Sequence, residues 1–211
     1  MAKSRDPFFM ALERIREAAR TGAYPPGRPI VIIEEARRLG VSTTPVREAL
    51  AWLCGEGLIE RGPAGGFLAV RLDAGAVRDR YAFRLACLTA AMDMTAGLPA
   101  YGRSPRARPD PAAALEALFD RIVRRAGNGM LTAAHERVSG QLRRFRDAEA
   151  RMFADLEAEA GALLALAAEE ANGALRQALG AYHDRRVQAA SILALDAARR
   201  ADRDGAEAGP S

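Results

Sequence analysis

The sequence is poor in aromatic residues and almost without residues that crosslink. Aromatic side chains make up 6% of its 211 positions, few of the residues that favour pleated strands, so helices are expected to dominate. Cysteine occurs only at Cys54 and Cys87. Two isolated thiols make no disulfide framework, so the expectation is a cytoplasmic protein whose thiols are core residues rather than redox sensors. No uninterrupted apolar run approaches the roughly 18 residues that span a bilayer. The opening Met1-Ala2-Lys3-Ser4-Arg5-Asp6 has no signal-peptide core, and no membrane partner is expected. His-Glu-x-x-His, a phosphate-cradling glycine loop and a nucleophile elbow are all missing, so the chain is not expected to be an enzyme.

What is present is apolar and mildly basic. Hydrophobic residues reach 49%, ample for a core, and the length suits one large domain or two modest ones. The formal net charge is +4, which allows a nucleic-acid partner without establishing one. The basic excess is uneven: residues 1–72 hold 11 Lys+Arg against 8 Asp+Glu, and the remainder 20 against 19.

That basic segment contains the stretch around which the chain is organised, Gly40-Val41-Ser42-Thr43-Thr44-Pro45-Val46-Arg47-Glu48-Ala49-Leu50-Ala51-Trp52-Leu53. Val46, Ala49, Leu50 and Leu53 fall at i, i+3, i+4 and i+7 and share one helix face. Thr44, Arg47 and Ala51 fall on the other. Pro45 fits only the first turn of a helix, and either Ser42 or Thr44 can cap it. An apolar back with hydroxyls and a guanidinium at the tip is what a helix needs to dock on its own domain and enter the major groove.

The flanking segments read as the rest of such a domain. A first helix is expected over 7–20, with Phe8, Leu12, Ile15 and Ala19 along one face. It is stopped by Thr21-Gly22-Ala23-Tyr24-Pro25-Pro26-Gly27. A second helix is expected over about 30–39, with Ile32, Ile33, Ala36 and Leu39 inward and Gly40 as its left-handed stop. Leu58-Ile59-Glu60-Arg61 and Phe67-Leu68-Ala69-Val70 are strand candidates joined by the turn Gly62-Pro63-Ala64-Gly65-Gly66.

Gly40-Val41-Ser42, Thr44-Pro45-Val46-Arg47-Glu48-Ala49-Leu50, Glu56-Gly57-Leu58, Gly65-Gly66-Phe67 and the Tyr24-Pro25-Pro26-Gly27 turn resemble the winged helix-turn-helix of GntR-type bacterial transcriptional regulators. The resemblance covers about the first third of the chain. It implies double-stranded DNA, a palindromic operator, as partner. It also implies DNA contacts from Ser42, Thr43, Thr44, Pro45, Arg47 and Arg38, with Gly65 and Gly66 bringing the wing backbone close to DNA. The matching arginine of the family contacts a guanine edge or a phosphate; this is the role expected of Arg47. Thr43 replaces a family arginine, which implies altered or weaker sequence preference. Glu35 replaces a family leucine. Either the second helix is rotated so that Glu35 reaches solvent, the reading favoured here, or Glu35 meets Arg37 or Arg38. Trp52 lies off the apolar stripe, and packing against the wing or a second domain is expected rather than base stacking.

Beyond residue 72 the pattern is helical. A long helix is expected over 73–95 with Val77, Tyr81, Leu85 and Leu88 inward, then a loop over 97–111. Bundle periodicity follows from Leu115 through Leu195. Arg80-Tyr81-Ala82-Phe83-Arg84-Leu85 resembles the opening of the all-helical effector domain of the FadR-like subgroup. Many such domains bind a metal through one Asp and three His. This chain has only His135 and His183, so that set cannot form, and neither metal nor cofactor is expected. Arg151, four residues after Asp147, stands in the place of one ligand. Arg84, Arg151, His183 and Arg186 are therefore the candidate contacts of an anionic effector, a small organic acid or an acyl-CoA.

The expected fold is mainly α. Residues 1–72 form a winged helix-turn-helix with a small β-hairpin, 73–200 an all-helical effector and dimerisation bundle, and 201–211 a disordered tail. The expected function is a homodimeric DNA-binding regulator, a repressor, modulated by a small effector. The alternative is a constitutive DNA-binding factor whose helical domain only dimerises or holds a protein partner.

Overall fold

A computed structural model describes residues 6–97, 110–169 and 171–207. Most of the expected loop, residues 98–109, lies outside the described residues. Two compact units divide at Asp73/Ala74, with the chain from Ala194 onward grouped with the first.

In the first unit, helix α1 (Pro7–Thr21) opens on Asp6, whose side chain accepts from the Phe8 N–H at 2.9 Å, and on Pro7 at its first position. Gly22, at φ 78°, closes it. Helix α2 (Ile32–Leu39) ends on Gly40 at φ 68°, the left-handed stop expected of that glycine. Helix α3 (Thr43–Gly55) starts with Ser42 at the cap position, and the Ser42 hydroxyl makes no capping bond. Strands β1 (Ile59–Arg61) and β2 (Phe67–Ala69) pair antiparallel, Ile59 opposite Ala69 and Arg61 opposite Phe67. Residues 27–30 run along the free edge of β2, with Gly27 N–H donating to Ala69 O at 2.7 Å and Ile30 N–H to Phe67 O at 2.8 Å. The hairpin is thereby tied to the turn before α2.

The core of this unit gathers Ala11, Leu12 and Ile15 of α1, Val46, Ala49, Leu50 and Leu53 of α3, and Leu58, Ile59 and Phe67 of the hairpin. Helix α2 departs from expectation. Ile33 is 63% exposed and Glu35 only 9%, so the helix is turned to bring Glu35 inward. The burial is tolerated because Tyr24 Oη donates to Glu35 Oε2 at 2.8 Å, and Arg38 Nη2 lies 2.5 Å from the same oxygen. The solvated reading of Glu35 is thus corrected.

In the second unit, α4 (Ala74–Met94) lies against α6 (Gly129–Leu142), α5 (Pro111–Arg125) and α9 (Asn172–Gln188). Helix α8 (Leu156–Ala168) packs on α5 and α9. A 3₁₀ turn over Arg143–Phe145 leads into the short α7 (Arg146–Met152). Leu88, Leu118, Phe119, Ile122, Leu163, Leu175 and Leu179 fill the core. Helix α10 (Ala190–Glu207) continues past the start of the expected tail at 201, and residues 208–211 lie outside the described residues. Ile192 and Leu195, expected inside the bundle, are 60% and 50% exposed.

One ion pair ties α1 to the end of α3. Arg16 Nη2 and Nε donate to the two carboxylate oxygens of Glu56 at 2.7 and 3.1 Å. Both side chains are mostly covered, and the Glu56 bond holds the Arg16 pKa above its ordinary value. Replacement of Arg16 by Met is expected to lower stability by about 1 kcal/mol, read as a shift in urea midpoint. An unchanged midpoint would mean that the α1–α3 packing alone fixes these helices.

Candidate nucleic-acid interface and a cavity in the helical unit

The seating of α3 decides what its tip presents. Val46, Ala49, Leu50 and Leu53 are each 0% exposed, which fixes the rotation of the helix about its axis. Ser42, Thr43, Thr44 and Arg47 are consequently exposed. Among the described residues Arg47 has no ion pair or hydrogen bond, so its fork of donors is uncommitted. Pro45 is buried and shapes the first turn of α3, in contrast to the exposed Thr44 and Arg47. Arg38 is half-exposed and holds Glu35 through Nε and Nη2, leaving one face of its guanidinium outward.

The wing tip is built from Gly65 and Gly66, at φ 90° and 76°. A Cβ on either would meet nothing within 4 Å. Their conformation, rather than crowding within the chain, requires glycine, and the open space leaves their backbone approachable from outside. Trp52, on α3 itself, is 59% exposed. Its ring lies edge-on to Phe8 of α1 at 6.1 Å.

The helical unit carries its polar chemistry inside. Arg186 Nε donates to Glu149 Oε2 at 3.0 Å, Nη2 to Glu159 Oε2 at 2.8 Å, and Nη1 to the Tyr182 carbonyl at 2.9 Å. Its guanidinium carbon lies 3.3 Å from the Tyr182 ring centre. Tyr81 Oη donates to the other oxygen of Glu149. Arg84 Nη1 donates to Glu116 Oε1 and Arg84 Nε to His183 Nε2, both at 3.1 Å. His183 Nδ1 lies 2.7 Å from the Leu179 carbonyl, which can only accept, so Nδ1 carries the proton and Nε2 the lone pair. Burial pushes the His183 pKa well below its ordinary value, and the Arg84 charge adds to the effect.

Of the four effector candidates, Arg84, His183 and Arg186 come together in this network. Arg151 does not: it is exposed on α7 and takes no part in lining the neighbouring cavity. Glu149, two residues earlier, faces inward instead. Sequence reading missed Glu116, Glu149 and Glu159. The available signal was Tyr81 and Arg84, three residues apart on an apolar stripe, because a buried arginine demands carboxylates from elsewhere.

These residues do not fit a metal ion. The free His183 nitrogen is bound to a guanidinium, and among the described residues no group of three His, Cys, Asp or Glu could hold a metal. His135 is buried apart from this cluster, with Ser139 Oγ 3.3 Å from its Nε2 and Asp120 3.4 Å from its Nδ1. Beside the network opens a cavity of about 490 Å³, walled by Arg84, Glu116, Leu142, Phe153, Tyr182 and Arg186 among others. No helix among the described residues is long and apolar enough to cross a membrane.

Known proteins resemble this arrangement. The family model for bacterial regulatory proteins of the gntR family matches residues 10–68. An HTH-type transcriptional regulator in the TAR-I ttuE-ttuC' intergenic region of Agrobacterium vitis is 38% identical over 90 residues, 43% of this chain. The match spans about half of that relative, 53% of its length. The solved structure of E. coli McbR/YncC superposes with a TM-score of 0.62 at 18% identity, over 90% of this chain and 98% of that one. A GntR transcriptional regulator from Rhodococcus sp. RHA1 superposes with a TM-score of 0.69 at 16% identity, over 87% and 96%. At these identities the structural likeness establishes the fold, a winged helix-turn-helix followed by a helical domain. The Agrobacterium vitis relative and the Rhodococcus structure are both named as transcriptional regulators.

The neutral His183 has a consequence for stability. In the unfolded chain its imidazole gains a proton near pH 6.5; in the fold it stays neutral to much lower pH. The unfolded state therefore binds more protons below about pH 6.5, and stability falls with pH there by up to about 1.4 kcal/mol per unit from this group. Urea midpoints at pH 7.5 and 5.5 should diverge less for His183→Gln than for the parent protein. Equal divergence would mean that His183 protonates freely in the fold.

Proposed function

We propose that this chain represses transcription by occupying a palindromic operator as a homodimer: residues 10–68 match the family model for bacterial regulatory proteins of the gntR family, and the Agrobacterium vitis relative is named an HTH-type transcriptional regulator. Each copy inserts the first turn of α3 into a major groove and lays its wing against the adjoining backbone. Ser42, Thr43 and Thr44 bond phosphates or base edges, and Arg47 reads a base. Arg38 contacts the backbone with its outward face. A small effector, an organic acid or an acyl-CoA, occupies the cavity of the helical unit and weakens operator binding by coupling of about 1–3 kcal/mol.

The observation that carries this reading is the uncommitted Arg47 at the exposed tip of a helix whose opposite face is wholly buried. A guanidinium held for its own fold would be paired. A bidentate arginine–guanine contact contributes about 1–3 kcal/mol of discrimination.

The test begins with the operator, recovered by sequencing the genomic DNA that the protein binds. Arg47→Ala should then weaken binding to that duplex by about tenfold or more, and binding to a scrambled duplex of the same length much less. Equal loss on both would reduce Arg47 to a phosphate contact. Light scattering of the complex should give two copies of the chain per operator.

A further inference from the structure

We propose that the cavity of the helical unit takes a small zwitterion, a carboxylic acid that also bears an ammonium group, on an apolar body; an amino acid is the simplest case. This rests on the reading of that cavity as the effector site and narrows it.

The charge around the cavity is mixed, not basic. Four arginines and five carboxylates line it, so a simple acid enters no electropositive hole. The buried guanidiniums are already committed. Arg186 is held by Glu149 and Glu159 with bonds of 2.8–3.2 Å, and Arg84 gives Nη1 to Glu116 and Nε to His183. A ligand of purely negative charge would compete with those carboxylates and add to an acidic excess.

Of the two buried guanidiniums one donor remains, while Arg146, also in the lining, is 36% exposed and lies 3.9 Å from Glu116. Arg84 lines the cavity and is 2% exposed, and its Nη2 is buried without a hydrogen-bond partner. A buried guanidinium N–H left unpaired is costly, and one carboxylate oxygen of a ligand satisfies it with a charge-assisted bond. The lining also holds one uncommitted anion. Glu157 of α8 is exposed and makes no ion pair or hydrogen bond among the described residues. An ammonium group meets it and restores the charge balance that the carboxylate of the same ligand would otherwise worsen. Leu115, Leu142, Phe153 and Leu156 supply apolar wall for the body of the ligand, within a volume of about 490 Å³ that falls in the range of small-molecule sites.

Such a lining also rejects. A dicarboxylate places a second anion among the lining acids. A plain amine leaves Arg84 Nη2 unpaired. Discrimination then comes from what the wrong ligand leaves unsatisfied as much as from what the right one gains.

The experiment is a thermal-shift screen of the full chain against the twenty standard amino acids and a set of ω-amino acids, followed by calorimetry. For each hit, the matching deaminated acid and decarboxylated amine are titrated as well. At least one amino acid should bind saturably, with its deaminated and decarboxylated counterparts each at least about tenfold weaker, the worth of one charge-assisted hydrogen bond. Glu157→Gln, an exposed change that leaves the core untouched, should weaken the amino acid about tenfold and leave the deaminated acid unchanged. A deaminated acid that binds as tightly as the amino acid would overturn the zwitterion class while leaving the effector site standing. A hit whose affinity ignores Glu157→Gln would overturn it too. No binding by any acid, amine or amino acid at millimolar concentration would overturn both the class and the effector-site reading.

Discussion

The burial of one face of α3 is the constraint on which the DNA-binding reading depends. Four apolar residues at helical spacing sit without solvent contact against α1 and the hairpin. Burial of each such side chain stabilises by about 1.5–3 kcal/mol, far more than any single surface contact at the tip. Rotating α3 by one residue would expose part of that stripe, so the direction of Ser42, Thr43, Thr44 and Arg47 is set by the core behind them. The apolar back fixes the backbone from which the polar tip projects, so only side-chain freedom is lost when the tip meets a base edge.

The helical unit obeys a different constraint. Its bundle buries arginines at positions 84 and 186, and a buried cation without its partner would cost about 3–5 kcal/mol. Carboxylates from three other helices answer that demand, Glu116 from α5, Glu149 from α7 and Glu159 from α8. The network therefore ties α4, α5, α7, α8 and α9 together around one wall of the cavity. A guanidinium takes the free nitrogen of His183, the atom a metal ion would need. On the proposed reading, a ligand that engages Arg84 would act on a group already bonded to two other helices, which would couple occupancy of the cavity to the packing of the bundle.

How much of this was legible depended on how far apart in sequence the partners lie. The α3 stripe, the proline in its first turn, the glycine stop at Gly40 and the Gly65-Gly66 wing are local patterns, and each could be read from a window of a dozen residues. The facing of α2 could not. Its periodicity favours Ile33 inward, but Tyr24, eleven residues before Glu35, supplies the bond that lets the carboxylate turn in. The same limit governed the helical unit. Arg84, His183 and Arg186 stood out by type, whereas the glutamates that answer them lie among many surface acids and are separated from Arg84 by 32 to 75 positions. Arg151 shares its position with a ligand of the resembled family but does not line the cavity; Glu149, on the inward face of the same short helix, has no signal of its own.

On the proposed function, the tip of α3 and the wing are the parts of this chain that touch duplex DNA. Amide chemical shifts of the full chain, followed as operator duplex is added until binding is complete by anisotropy, test that directly. The largest changes are predicted at residues 42–47 and 62–66, with the apolar stripe behind them undisturbed. Saturated binding that leaves both segments unmoved while another surface shifts would contradict it.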